Sequence, residues 1–288
     1  MRKLLIISKK MVIRFLPEGT LMWKMAKSLY LLLFNWKEFI KRLAQQKQPI
    51  TFRRSFPVHK ASIMNENLIN EMNSIKWWHR IELDDGLFTP GEVVHVSDGS
   101  DYATKRFGMP KDLSGKTVLD VGAWDGYFSF EAERRGAGKV VACDVSVDSG
   151  GNWGGTDGFN FAKKILKSNV IFKECSIEEL ISNKIGNYDV VMCYGVLYHL
   201  QNLMPAIQNL AAVTKEYALI ETAVLPAAMD TNPNLPLCAF LQGFDNDPSN
   251  YWYPNTKCLK AMLYFYGFKR FELVGKCGDT RVTVKAYK

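Results

Sequence analysis

The residues of this chain best placed to do chemistry are Asp120, Gly122, Gly126 and Asp144. The run Val118-Leu119-Asp120-Val121 reads as a buried strand, and Gly122-Ala123-Trp124-Asp125-Gly126 follows it as a turn. Gly122 and Gly126 let the backbone come close to a ligand where a Cβ would obstruct it. Asp144 ends the next apolar run, and a carboxylate there can accept both hydroxyls of a ribose. Loop and acid together describe the cradle of a nucleoside cofactor.

The loop also discriminates between cofactor classes. A dinucleotide fingerprint reads G-x-G-x-x-G, and here Trp124 stands where the second close-approach glycine belongs. A pyrophosphate has less room beside an indole, which favours S-adenosylmethionine over a nicotinamide dinucleotide. Further along, Gly195-Val196-Leu197-Tyr198-His199-Leu200 follows another apolar run. An imidazole titrates near neutrality, which makes His199 a candidate base, although Tyr198 and His199 could simply cap and pack that loop. Trp77, Trp78, Tyr251, Trp252 and Tyr253 could stack on a flat substrate, an unpaired base included, or serve only as packing.

Alternating strand and helix signals must position these residues. The strand signals are Thr117–Asp120, Val140–Asp144, Val170–Cys175, Asp189–Tyr194 and Ala218–Val224, all apolar runs suited to a sheet covered on both faces. Helix signals fall between them at Tyr127–Arg135, Phe159–Lys167, Ile177–Asn183 and Met204–Val213. That order predicts a parallel, doubly wound α/β sheet with right-handed crossovers. Pro226 to Pro254 breaks the rhythm and is expected to be a long loop or lid (226–254). A helix from about Asn255 to Tyr266 follows, with Asn255 or Thr256 as N-cap and Gly267 as stop. The alternating segments Lys269–Val274 and Arg281–Ala286 read as an antiparallel hairpin closing one edge of the sheet. The glycine-rich Ser149 to Gly158 stretch, with Trp153, is either a loop beside the ribose site or a plain connection.

Composition bounds the rest. A chain of 288 residues, 47% hydrophobic, can bury a substantial core. Six scattered cysteines, mostly in apolar runs and without a C-x-x-C pair, predict a reduced, cytoplasmic protein with no zinc site. The net charge of +8 is uneven: residues 1–60 hold 14 Lys and Arg against 2 Asp and Glu, and 61–288 hold 23 against 27. Such a tail suits nucleic acid, anionic lipid or an acidic partner. Lys9, Lys10 and Arg14 interrupt the apolar start, which argues against a signal peptide. Within 21–44, Leu21, Met22, Met25, Leu29, Leu32, Leu33, Trp36 and Ile40 fit a helical stripe beside several lysines. Its uncharged run, Ser28 to Trp36, is too short to span a bilayer. The helix either lies at a membrane surface or packs on the enzyme or a second subunit. The expected organisation is a basic, partly helical extension over 1–60, a segment covering substrate and cofactor over 61–115, and the α/β domain over 116–288.

Asp120-Val121-Gly122 with Gly126, Asp144, Tyr188-Asp189-Val190-Val191 and Gly195 to Leu200 resemble class I S-adenosylmethionine-dependent methyltransferases. Trp78-His79-Arg80-Ile81-Glu82-Leu83, Gly86, Thr89-Pro90-Gly91, Trp124-Asp125-Gly126 and Gly195 to His199 resemble, more narrowly, relatives of the bacterial tRNA wobble-uridine (carboxy)methyltransferases. The resemblance covers about residues 77–288 and implies a seven-stranded Rossmann-like methyltransferase sheet. It implies that Asp120, Gly122 and Gly126 cradle the methionine part and Asp144 the ribose, with Cys175, Ser176 and Ile177 bordering the adenine. It also implies cofactor contacts from Tyr194 and Tyr198, and places Arg281 where that family has an arginine near the extra carboxylate of carboxy-S-adenosylmethionine. The family's upstream lysines find no counterpart, Lys105 being only a neighbour, which puts plain methyl transfer ahead of carboxymethyl transfer.

The expected reaction is an in-line attack on an activated methyl group, in which alignment and exclusion of water dominate and a base is optional. Trp78, Trp252 and Arg281 are the expected substrate-side residues. The acceptor is a tRNA wobble uridine or a small-molecule metabolite. Two further readings are a non-catalytic protein that keeps the fold, against which the intact Asp120, Gly122, Gly126 and Asp144 set argues, and a dehydrogenase.

Overall fold

The computed structural model describes residues 66–84, 86–91, 101–145, 155–227, 229–230, 232–244 and 247–288. The 1–60 extension, its expected helix within 21–44, and Trp153 with most of the 149–158 loop lie outside the described residues.

Helix α1 (Glu66–Ser74) leads through Trp77 into a short hairpin of β1 (Glu82–Asp84) and β2 (Leu87–Phe88). Thr89 closes this strap: its hydroxyl donates to the His79 carbonyl at 2.8 Å and accepts the Ile81 N–H at 2.8 Å. Gly91 passes so near that a Cβ would stand 2.1 Å from the His79 backbone, which accounts for the glycine of Thr89-Pro90-Gly91. Helix α2 (Tyr102–Phe107) follows, capped by Asp101 and stopped by Gly108 at φ 65°.

The α/β succession then runs β3 (Thr117–Val121), α3 (Tyr127–Arg134), β4 (Lys139–Asp144), α4 (Asp157–Leu166), β5 (Ile171–Glu174), β6 (Tyr188–Tyr194), α5 (Leu203–Val213) and β7 (Thr214–Ala223). After it come β8 (Cys238–Phe240), β9 (Trp252–Pro254), α6 (Thr256–Phe265), β10 (Arg270–Cys277) and β11 (Arg281–Tyr287). The seven-stranded sheet has the order β10-β11-β7-β6-β3-β4-β5. Its strands run parallel from β5 to β7, and β11 pairs antiparallel with both β7 and β10. The terminal hairpin closes the sheet edge as its pattern predicts, with the last strand inserted inside the first of the pair.

Side-chain alternation explains the double covering. Leu119, Val121, Val191, Cys193, Ala218 and Ile220 face α5 and α6, while Val118, Val190, Met192 and Leu219 join the core formed with α2, α3 and α4. Burying both faces of a sheet strand in this way contributes about 1.5–3 kcal/mol per large apolar side chain. Asn255 caps α6 by accepting the Cys258 N–H at 2.9 Å, and Gly267 follows at φ 90°.

Three expectations change. The predicted helix Ile177–Asn183 is a single 3-10 turn, Ile177–Glu179. Ser176 and Glu179 form a capping box there, but Lys184 and Gly186 take positive φ and turn the chain before a second helical turn can form. The 226–254 segment is no plain loop, because β8 and β9 pair antiparallel inside it and bury Tyr253 completely against Phe244 and Tyr198. Strand β5 is an exposed edge rather than a doubly covered strand. Among the described residues no helix is long and apolar enough to cross a membrane.

Candidate functional site

In an open α/β sheet the ligand crevice lies beyond the carboxyl ends of the strands, where the winding direction reverses. Here that point falls between β3 and β6. The loop leaving β3 carries Gly122 at φ 77°, Trp124 at φ 47° and Gly126 at φ 84°. A Cβ on Gly122 would stand 2.3 Å from Val196 Cγ2, so the loop lies directly against the turn leaving β6. Gly126 serves packing as well: its Cβ would meet Phe130 and Phe159, each at 2.6 Å.

Four of the loop's five amides, those of Gly122, Ala123, Trp124 and Gly126, donate inside the protein. Gly122 and Ala123 N–H donate to the Cys143 carbonyl at 2.8 and 3.2 Å, and Gly126 N–H donates to Ala123 at 2.8 Å. Trp124 N–H donates to Asp144 Oδ2 at 2.7 Å, while Asp144 Oδ1 accepts the Val145 N–H at 2.7 Å. Asp144 thus ends β4 with its carboxylate held by backbone on one side. Each oxygen keeps a further lone pair for a ligand hydroxyl. Burial raises its carboxyl above the ordinary range, against the lowering effect of those two amides.

Asp120 lies beneath the loop rather than on it. It is 1% exposed, and Oδ2 accepts the Ser129 hydroxyl at 2.6 Å. Burial pushes its carboxyl up to about 7, with the Asp144 charge adding to the rise and Ser129 opposing it. The motif acid therefore contributes through charge and loop support.

A third loop carboxylate, Asp125, has no role in the sequence reading beyond its place in a motif, and it proves to be the joint between loop and strap. It is 1% exposed; Oδ2 accepts the N–H groups of Trp78 at 3.1 Å and His79 at 2.7 Å, and Oδ1 lies 2.7 Å from His79 Nδ1. The His79 ring stacks on Tyr127 at 4.9 Å, and Trp78, 40% exposed, stacks on Trp124 at 5.4 Å. Spacing alone could not reveal a pair separated by so much chain.

The turn after β6 brings Tyr198, His199 and Arg281 together. The Arg281 guanidinium sits 4.0 Å over the Tyr198 ring, and Nη1 lies 3.7 Å from Glu221 Oε2. Glu221, on β7, is a second residue that the sequence reading passes over, because it sits inside an apolar strand signal. His199 Nδ1 lies 2.8 Å from the Ser249 hydroxyl, which donates to Asp247 Oδ1 at 2.6 Å. Burial holds the imidazole below its ordinary value, and its contact with Ser249 ties the β8–β9 segment to the turn after β6. Tyr251 N–H reinforces that tie by donating to the Tyr198 carbonyl at 2.8 Å.

The remaining expected residues are spread more widely. Tyr194 is buried between Phe107 and Phe128, its hydroxyl donating to the Phe107 carbonyl at 3.3 Å, so it faces the core rather than an open cleft. Ser176 caps the turn after β5, and buried Ile177 offers its carbonyl to Asn209 at 2.9 Å. Trp252 is half-buried on β9, its indole N–H reaching the Gln201 carbonyl at 3.3 Å.

A family model described as a methyltransferase domain matches residues 101–269. The chain is 23% identical over 217 residues to the tRNA U34 carboxymethyltransferase of Helicobacter pylori, covering 73% of this chain and 76% of that protein. It is 33% identical over 190 residues to the tRNA U34 carboxymethyltransferase of Campylobacter hominis, covering 64% and 63%. Among solved structures, the N-terminal domain of EvdMO1, determined with SAH and D-fucose, aligns with a TM-score of 0.58 at 17% identity, over 79% of this chain and 99% of that one. At that identity the likeness concerns the fold.

Proposed function

The chain belongs to the methyltransferase-domain family, and on that premise we propose that it moves the methyl group of S-adenosylmethionine onto a tRNA wobble uridine. The observation that carries the cofactor is the loop's hydrogen bonding. A pyrophosphate needs inward-pointing amides, and those of Gly122, Ala123, Trp124 and Gly126 are taken by Cys143, Asp144 and Ala123. Three carboxylates, Asp120, Asp125 and Asp144, surround the same loop, which repels a dianion and suits a ligand bearing sulfonium and ammonium charge. Gly122 keeps the ledge free of a Cβ, and Asp144 presents acceptors for ribose hydroxyls.

When bound, S-adenosylmethionine supplies an activated methyl group. The chain's own residues hold it in place and align it with the acceptor. Plain methyl transfer is favoured over carboxymethyl transfer because Arg281 already faces an internal carboxylate, Glu221, at 3.7 Å. A guanidinium so engaged has less charge to offer an extra carboxylate on the cofactor.

The tRNA acceptor is supported by the curated relatives and by the basic 1–60 segment, whose lysines and arginines suit phosphate contacts. A small-molecule acceptor is the second reading, favoured by the mild acidity of residues 61–288, 23 basic against 27 acidic. The deciding experiment has two stages. Calorimetry should detect binding of S-adenosylmethionine and none of NAD; the reverse would overturn the cofactor. Labelled methyl groups should then appear in tRNA and vanish when the first sixty residues are removed or salt is raised. Label confined to small molecules would replace the first acceptor with the second.

A further inference from the structure

Glu221 is a carboxylate at the carboxyl end of β7, 4% exposed, in a place where an apolar residue would satisfy the core. In register it stands opposite Tyr194 of β6 and Thr283 of β11. Its carbonyl accepts the Gly195 N–H at 3.1 Å, and a Cβ on Gly195 would lie 3.5 Å from the Tyr198 hydroxyl and 3.9 Å from Glu221 Oε2. Hydroxyl and carboxylate thus bracket the bare glycine of the β6 turn, and the next residue, Val196, touches Gly122 of the cofactor loop. The carboxylate therefore lies beside the β6 turn that packs on the cofactor loop. Arg281 approaches at 3.7 Å, a charge contact longer than a hydrogen bond, so lone pairs of Glu221 stay available.

We propose that Glu221 is the proton acceptor of the transfer, taking the proton from the hydroxyl of the methyl acceptor. The inference rests on the methyl-transfer reading above. In the step, the acceptor oxygen forms a bond to the methyl carbon and the carbon–sulfur bond breaks with its electron pair left on sulfur. The O–H pair stays on oxygen, and the proton goes to Glu221 Oε, so the positive charge leaves sulfur and neutralises the carboxylate.

The surroundings suit the role. Burial raises the Glu221 carboxyl above its ordinary value, while Arg281, Arg106 and the Gly195 N–H pull it back. The charged and titratable groups that face it are Arg281 from β11, Arg106 and Tyr102 from α2, Tyr198 from the turn and Cys193 from β6. A carboxylate lifted toward neutrality yet still ionised is a better proton acceptor than an ordinary one. His199 is the alternative on the same turn, but burial lowers its basicity.

The test begins without any acceptor. Protein labelled with carbon-13 at the glutamate carboxyls, with Glu221→Gln assigning the resonance, is titrated with saturating S-adenosylmethionine and with S-adenosylhomocysteine. A sulfonium beside Glu221 should hold its midpoint lower, by on the order of one pH unit, than the uncharged thioether does. Equal midpoints would place Glu221 away from the reacting centre and overturn the proposal. Where tRNA is methylated, Glu221→Gln should lower kcat by about 10²–10⁴ with affinity for S-adenosylhomocysteine unchanged, and Glu221→Asp should recover part of it. A Glu221→Gln enzyme within threefold of wild type would also overturn it. Should that variant fail to fold, Arg281→Lys in labelled protein should move the Glu221 midpoint by loosening the charge contact, and an unmoved midpoint would count against the assignment. Failure of tRNA methylation alone refutes the acceptor and leaves the titration to decide the base.

Discussion

Replacing Asp125 separates a structural joint from a mere loop residue. Its carboxylate serves three donors of the strap, two of them buried at His79 and one part-buried at Trp78. Asp125→Ala strands all three. A buried unsatisfied donor costs about 1–3 kcal/mol, and the Trp78 amide can recover water because that residue is 40% exposed. The expected loss is therefore about 3–5 kcal/mol. Asp125→Asn keeps one oxygen for the Trp78 and His79 amides, and its NH2 can donate to His79 Nδ1 once the imidazole changes tautomer. The loss then falls to about 1–2 kcal/mol, mainly the charge assistance. Urea unfolding followed by circular dichroism measures both. In thermal melts the alanine variant should fall by about 10 °C, from about 2–4 °C per kcal/mol for a domain of this size. Tryptophan fluorescence of the folded alanine variant should also change, because Trp78 loses the contact that holds it on Trp124. An alanine variant within 1 kcal/mol of wild type, or an asparagine variant as damaged as the alanine one, would refute the joint.

Gly122→Ala should weaken S-adenosylhomocysteine binding at least tenfold in calorimetry and destabilise by about 1–3 kcal/mol, because φ is 77° and the Cβ meets Val196 at 2.3 Å. Adding Val196→Ala should return part of the stability; no recovery would refute the contact. Asp144→Asn should cost about tenfold or more in affinity for S-adenosylmethionine by the same assay, and wild-type affinity should fall on acidification as the raised Asp144 carboxyl protonates and loses acceptor capacity. Asp120 gives a stability prediction with a defined sign. Its carboxyl is near 7 folded and 3.8 unfolded, so between those values the native state binds the extra proton and stability falls as pH rises. Asp120→Asn, which resembles the protonated acid, should flatten that fall in urea titrations at pH 5 and pH 8; an unchanged slope would refute it.

The sheet was legible because its signals are physical necessities. Strands buried on both faces must be apolar throughout, as in Val190-Val191-Met192-Cys193, and the crossover helices must be amphipathic, so period and order dictate the topology. What escaped the sequence has two causes. Short local competitions decide elements such as Ile177–Glu179, where an apolar start promises a helix and Lys184 and Gly186 end it early. Pairings across the chain decide the site, and composition carries no trace of them: Asp125 meets His79, Arg281 meets Glu221, and His199 meets Ser249. Glu221 is the sharper case, since a single acid inside an apolar strand reads as an imperfection until the register shows what lies beside it.

The glycine loop owes its shape to carboxylates on three sides. Asp144 holds Trp124 N–H from the end of β4, Asp125 anchors the strap from the other side, and Asp120 supports the loop from below through Ser129. Trp124 can keep a left-handed φ of 47° because Asp144 and the Trp78 ring fix it independently. The same three acids set the electrostatics. Burial lifts Asp120 to about 7, the charges of Asp144 and Asp125 add to the rise, and a cation arriving on the loop offsets that repulsion. Loop geometry and strap docking therefore share one residue, Asp125, and a cationic ligand on the loop gains from the carboxylates that hold both. A neutral or anionic nucleotide would gain no such benefit, which is a stronger reason for the cofactor's identity than the glycines that first drew attention to the loop.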